Sequence, residues 1–150
     1  MGNLVDLKPP AETVNRAVII CEGEKAADAL RRLLPDSIVL AFGGIGAIER
    51  TDWEPLRGRH VLGWPDHDVP GLRAWTGVPA TGRKSARRGL IDILQPIVAG
   101  LSLIDPTTCP GGKGGDAADM EAAGWTTAEV RRWIRANRLA VSEWRGRVGA

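Results

Sequence analysis

Trp64-Pro65-Asp66-His67-Asp68-Val69-Pro70-Gly71 sets two carboxylates two residues apart, directly behind the apolar run His60-Val61-Leu62-Gly63. The run has the length of a buried strand, and Pro70-Gly71 closes a turn behind the acids. Residues i and i+2 of an extended chain point to the same side. Asp66 and Asp68 would then sit roughly 6.6 Å apart along one face (two strand rises), within reach of one hard cation or a pair of them. Asp, Pro and Gly also form turns in their own right, so the octamer alone fits a solvated turn. The segments around it decide between the two.

Upstream, Ala17-Val18-Ile19-Ile20-Cys21 is a second continuous apolar run, as in a strand buried on both faces. Glu22-Gly23-Glu24 follows at once, and Lys25 to Leu34 carries Ala26, Ala29, Leu30, Leu33 and Leu34 at helical spacing. Ile38-Val39-Leu40-Ala41 reads as another strand and runs into the glycine-rich turn Phe42-Gly43-Gly44-Ile45-Gly46. Downstream of the octamer, a helix is expected from Leu72 to Thr76 and again from Lys84 to Val98, with an interruption at 77–82 and a shortened end at Pro96. Leu101-Ser102-Leu103-Ile104 is the fourth strand, followed by the loop 105–115, a short helix over 116–123 and a capping-box start at Thr126-Thr127-Ala128-Glu129. Short apolar strands alternating with helices imply an α/β fold with a parallel sheet covered on both faces. Ligands of such sheets bind beyond the carboxyl ends of the strands. Glu22, the glycine turn, the aspartate pair and the Lys113 loop each leave one of those ends.

Composition sets bounds on these readings. The chain has 150 residues, 43% hydrophobic and 25% charged, as expected for one globular domain with a real core. No apolar run approaches the roughly 20 residues of a membrane span, and no basic-then-apolar leader opens the chain. Cys21 and Cys109 are too few and too far apart for a zinc cluster or a disulfide framework, which points to a reduced, cytoplasmic setting. The net charge is only +2, but Arg83, Lys84, Arg87 and Arg88 cluster mid-chain, and arginines crowd the region from Arg131 to Arg147. Such patches suit a phosphate-rich partner or a solvated helix face. The absence of tyrosine excludes chemistry through a tyrosine nucleophile.

Glu22, Asp66 and Asp68 place three carboxylates at one sheet edge, where their charges repel. A divalent cation resolves the repulsion, and Mg²⁺ favours a few carboxylates plus waters and substrate phosphates. Metal-assisted phosphoryl transfer is the chemistry that suits this set. Gly43 and Gly44 can offer backbone N–H groups to a phosphate or serve only as a tight turn. Lys25 and Lys113 are phosphate contacts or solvated lysines, and His67 falls on the far side of the extended segment, in a structural or peripheral role. Thr81-Gly82-Arg83-Lys84-Ser85 lacks the upstream glycine of a nucleotide-binding loop.

These motifs resemble those of the TOPRIM domain. The stretch from Val18 to Leu30, with Cys-Glu-Gly-Glu-Lys at its centre, resembles the family's first motif. Asp66-His67-Asp68-Val69-Pro70-Gly71 resembles its Asp-x-Asp motif, and Lys113-Gly114-Gly115-Asp116-Ala117-Ala118-Asp119 resembles a late segment of primase-like members. The likeness runs in order over residues 17–125 and is nearest to the primase and primase-helicase modules of phages, plasmids and mobile elements. It implies a Rossmann-like three-layer fold with a central, mainly parallel four-stranded sheet and helices on both faces. It further implies an arm over residues 1–15, a TOPRIM domain over 16–125 and a C-terminal helical extension over 126–150. By this resemblance Glu22 is a general acid/base, Asp66 and Asp68 hold Mg²⁺ (with Mn²⁺ as a substitute), and Asp116 is a supporting acid. Arg83 and Lys84 are expected on a nucleic-acid backbone. The implied activity is nucleotidyl transfer in primer synthesis, on single-stranded DNA or another nucleic acid with nucleoside triphosphates, beside a helicase or other replication protein and away from membranes. A small TOPRIM nuclease and a non-catalytic nucleic-acid- or nucleotide-binding module are the alternatives. Without tyrosine, a zinc module or a nucleotide-binding loop, the chain is expected to be a TOPRIM module standing alone, or one cut from or working beside a larger replication protein.

Overall fold

The computed structural model describes residues 16–111 and 115–148. The expected arm over 1–15 and Lys113 lie outside them. The chain runs β1 (Val18–Cys21), α1 (Glu24–Leu33), β2 (Ile38–Ala41), two 3₁₀ turns (Ile45–Arg50 and Glu54–Leu56), β3 (His60–Trp64) and α2 (Val69–Thr76). It continues through α3 (Leu90–Leu94), β4 (Gly100–Ile104), α4 (Ala117–Ala122), α5 (Thr127–Asn137), β5 (Arg138–Ala140) and α6 (Val141–Val148). No helix among the described residues is long and apolar enough to cross a membrane.

The sheet has the order β2-β1-β3-β4-β5. The first four strands are parallel, and β5 runs antiparallel to β4, pairing Leu139 with Leu103. Successive strand residues feed opposite faces. Val18 and Ile20 join a core with Trp75, Leu90, Leu94 and Trp144, which places α2, α3 and α6 on one side. Ile19 and Cys21 join Leu30, Met120 and Val130, which places α1, α4 and α5 on the other. The architecture is therefore α/β with helices on both faces of a mostly parallel sheet, compatible with a Rossmann-like layout.

Two expectations are corrected. The sheet has five strands rather than four. β5 escapes sequence reading because it is three residues long with one buried side chain, Leu139, and sits between two helices. The helix expected from Lys84 to Val98 shrinks to Leu90–Leu94. Residues 78–87 pair with each other instead, Val78 with Arg87 and Thr81 with Lys84, as a short antiparallel hairpin. These bridges use the backbone groups that a helix would need, and the helix that does form ends ahead of Pro96.

Trp75 packs closely against the sheet where β3 has a glycine. A Cβ on Gly63 would lie 2.5 Å from the Trp75 ring, itself fully buried. Gly63→Ala is expected to destabilise the fold by about 2 kcal/mol through overpacking against a ring that cannot yield. The urea midpoint should fall with an unchanged m value; a midpoint equal to wild type would refute the close-packing account.

Candidate active site

β1 is flanked by β2 on one side and β3 on the other, so the connections after β1 and β3 leave toward opposite faces. Between them opens the crevice at which doubly wound sheets bind ligands. Cys21 pairs with Trp64 in the parallel register. Glu22 and Asp66, one and two residues further on, therefore emerge side by side. Their carboxyl groups share a hydrogen bond.

The surrounding backbone is arranged around this pair. The Gly43 N–H donates to the Glu22 carbonyl at 3.0 Å, which fixes the glycine turn against Glu22 and occupies one of the N–H groups expected for phosphate. Gly44 has φ +93°, and a Cβ there would lie 3.7 Å from the Glu22 Oε1. Behind the aspartates, a Cβ on Gly71 would come within 2.8 Å of the Asp66 Cβ and carbonyl oxygen and 2.9 Å of the Asp68 Oδ1. The glycine is what allows α2 to start so close to both acids.

Electrostatics distinguish the acids. Partial burial, then the charges of Asp66 and Asp68, push the Glu22 carboxyl up to about 7. Asp66 is also raised, first by burial and then by Asp68 and Asp116. Protonated Glu22 donates to the Asp66 carboxylate, so one proton serves two acids. Burial pushes the thiols of Cys21 and Cys109 up to about 12, which keeps them protonated and unreactive.

Asp68 has a different task. The chain bends at His67 and Asp68, which ends the extended spacing expected from sequence. The Asp68 carboxylate caps α2, its Oδ1 accepting from the Gly71 N–H at 2.6 Å. Asp116 caps α4 in the same way, accepting from the Ala118 N–H at 2.8 Å, while the Asp119 carboxylate accepts from the Asp116 N–H. Asp116 is close enough to Asp66 to raise its pKa. Among the described residues, no three of His, Cys, Asp and Glu are grouped to hold a metal ion. The donor chemistry still fits a hard cation. Glu22 and Asp66 meet, Asp68 keeps a second oxygen outside the cap, and Mg²⁺ takes one or two carboxylates with the rest from water and phosphate.

The other expected contacts are scattered. Lys25 is exposed on the first turn of α1, a helix that opens at Gly23 without a side-chain cap. Arg83 and Lys84 sit at the exposed tip of the hairpin. His67, between the aspartates, is half-buried. Arg50 and Arg73 line the same surface grooves as the hairpin cations. They gave no signal in the sequence, standing alone and far from the basic cluster. No protein-family model matches this chain, and neither does any curated protein or solved structure.

The raised Glu22 carboxyl binds its proton more tightly folded than unfolded, so its contribution to stability is fully present below about 4.5 and is lost as pH rises toward and through 7. Glu22→Gln removes the charge, and should raise stability over wild type at about pH 8 by about 1 kcal/mol, a figure reduced for solvent screening at a partly exposed group. Thermal melts of both proteins across pH should converge at acid pH; parallel curves would disprove the shared proton. Asp68→Ala should cost about 1 kcal/mol through the lost cap, whereas Asp68→Ser keeps most of it. If urea denaturation finds Ala and Ser equally destabilising, the capping role is wrong.

Proposed function

We propose that the chain is a TOPRIM catalytic module for Mg²⁺-dependent nucleotidyl transfer on nucleic acid, working in primer synthesis in the cytoplasm. The observation that supports this reading most directly is the adjacency of Glu22 and Asp66 beyond the carboxyl ends of β1 and β3, set by the pairing of Cys21 with Trp64. A carboxyl held at about 7 exchanges protons near neutral pH, as a general acid/base requires. Glu22, as carboxylate, accepts the proton of the attacking hydroxyl and, as carboxylic acid, supplies one to the departing oxygen. Asp66 orients that carboxyl through the shared hydrogen bond. Asp68, tied to the start of α2, holds the third negative charge at a fixed place. Mg²⁺, held by Asp66 and the outer oxygen of Asp68 with waters and substrate phosphate, would neutralise charge on the phosphate and position the attacking oxygen. Asp116, as the cap of α4, supports the acidic cluster from the edge beyond β4. Single-stranded DNA and nucleoside triphosphates are the proposed substrates, and a helicase or other replication protein the partner.

Incubation with single-stranded DNA, labelled ribonucleotides and Mg²⁺ or Mn²⁺ should yield new oligonucleotides. Glu22→Gln and Asp66→Asn should each lower the rate about 100-fold or more. A shortened template with no new oligonucleotide would assign the same acids to phosphodiester hydrolysis, the nuclease reading. No product of either kind, with nucleic-acid binding intact, would leave a binding module and overturn the catalytic reading.

A further inference from the structure

The hairpin over residues 78–87 replaces an expected helix start and carries Arg83 and Lys84, expected from sequence on a nucleic-acid backbone; its surroundings are strongly one-signed. Its two bridges leave a turn at Gly82, φ +56°, with Arg83 and Lys84 at the tip. Every residue from Pro79 to Arg88 is exposed. A groove of about 640 Å³ runs between the hairpin, α2 and the 3₁₀ turn after β2, and Arg73, Arg83, Lys84 and Arg87 line it. A second groove of about 340 Å³ shares Ile45, Glu49 and Arg87 with the first and adds Arg50 and Arg88. Glu49 is the one carboxylate on either lining. Among the described residues, none of Arg50, Arg73, Arg83, Lys84 and Arg87 is ion-paired, whereas Arg31, Arg32, Arg57, Arg131, Arg145 and Arg147 all are.

The linings of the joined grooves come within two residues of the candidate active site along the chain. Pro70 lines the larger one and lies two residues past Asp68; Ile45 lines both and follows Gly44, which packs beside the Glu22 carboxyl. No aromatic side chain lines either groove, so neither provides a stacking platform for bases.

We propose that the hairpin and its flanking arginines form a track for the phosphate backbone of a nucleic-acid strand, leading it past Glu22 and Asp66 without reading its sequence. This deepens the catalytic reading by naming what holds the substrate, and it rests on that reading for where the strand leads. Cations without aromatic neighbours bind through counterion release, which makes affinity steep in salt and indifferent to base identity.

The test measures binding of the full chain to fluorescein-labelled oligothymidylate across a salt series in EDTA, so that no turnover intervenes. Arg83→Ala/Lys84→Ala should weaken binding roughly tenfold at about 0.1 M salt and flatten the log–log salt slope by about 1.4, the value for two lost phosphate contacts on a single strand. Arg131→Ala/Arg135→Ala removes the same charge beside the groove where Ala17, His60 and Gly100 lie, at the opening ends of the strands, and should bind like wild type. A mixed-sequence oligonucleotide should match oligothymidylate. Equal loss in both double variants, no loss in the hairpin variant, or no binding by wild type would each overturn the track. Glu22→Gln should bind at least as tightly as wild type. Glu22-dependent product with hairpin-independent binding sinks the track alone; salt-steep, hairpin-dependent binding without product sinks the catalytic reading alone.

Discussion

Two like charges can share the end of a sheet only when a proton or a cation stands between them. The Glu22–Asp66 pair lives under that constraint, and much of the molecule around it is arranged so that the pair cannot escape. Both acids leave neighbouring parallel strands whose register is set by Cys21 against Trp64. Both are partly desolvated, which raises the cost of ionising them together. The helices that follow pack into opposite cores and pull the two connections apart. The acids stay where the fold puts them.

The neighbouring carboxylates are tied down by a different means. Asp68 and Asp116 each cap a helix, so their positions follow the backbone rather than a rotamer choice. A cap oxygen bound to an N–H is a weaker ligand and base than a free one, yet its charge still acts on its neighbours. Asp68 raises both Glu22 and Asp66, and Asp116 raises Asp66. One acid pair therefore shares a proton while the caps supply fixed charge.

Much of this was legible in the chain. The four apolar runs at Val18, Ile38, His60 and Leu101 are strands, because parallel strands buried on both faces leave unbroken apolar stretches. The convergence of Glu22 and Asp66 followed from strand ends alone, but their adjacency did not, since strand order is set by long-range pairing. The bend at His67 was hidden for a related reason. The i, i+2 spacing holds in a strand, and Asp68 is already the first turn's cap, a role Asp and the following Pro-Gly also favour. Arg50 and Arg73 were illegible because their only link to Arg83 is a groove that exists after folding.

The hairpin is joined to the domain by two glycines whose missing side chains matter. A Cβ on Gly77 would meet the Arg87 carbonyl at 2.6 Å, and one on Gly89 would meet the Trp75 carbonyl at 2.3 Å. The two stems are thus pinched together against the end of α2, while a Cβ added at Gly82 at the tip would meet nothing within 4 Å. The core ends at the pinch, and everything beyond it is free of the core's packing demands. Residues could be added or exchanged at the tip without repacking a buried side chain, which makes this the place where the protein's reach can diverge while its fold stays the same.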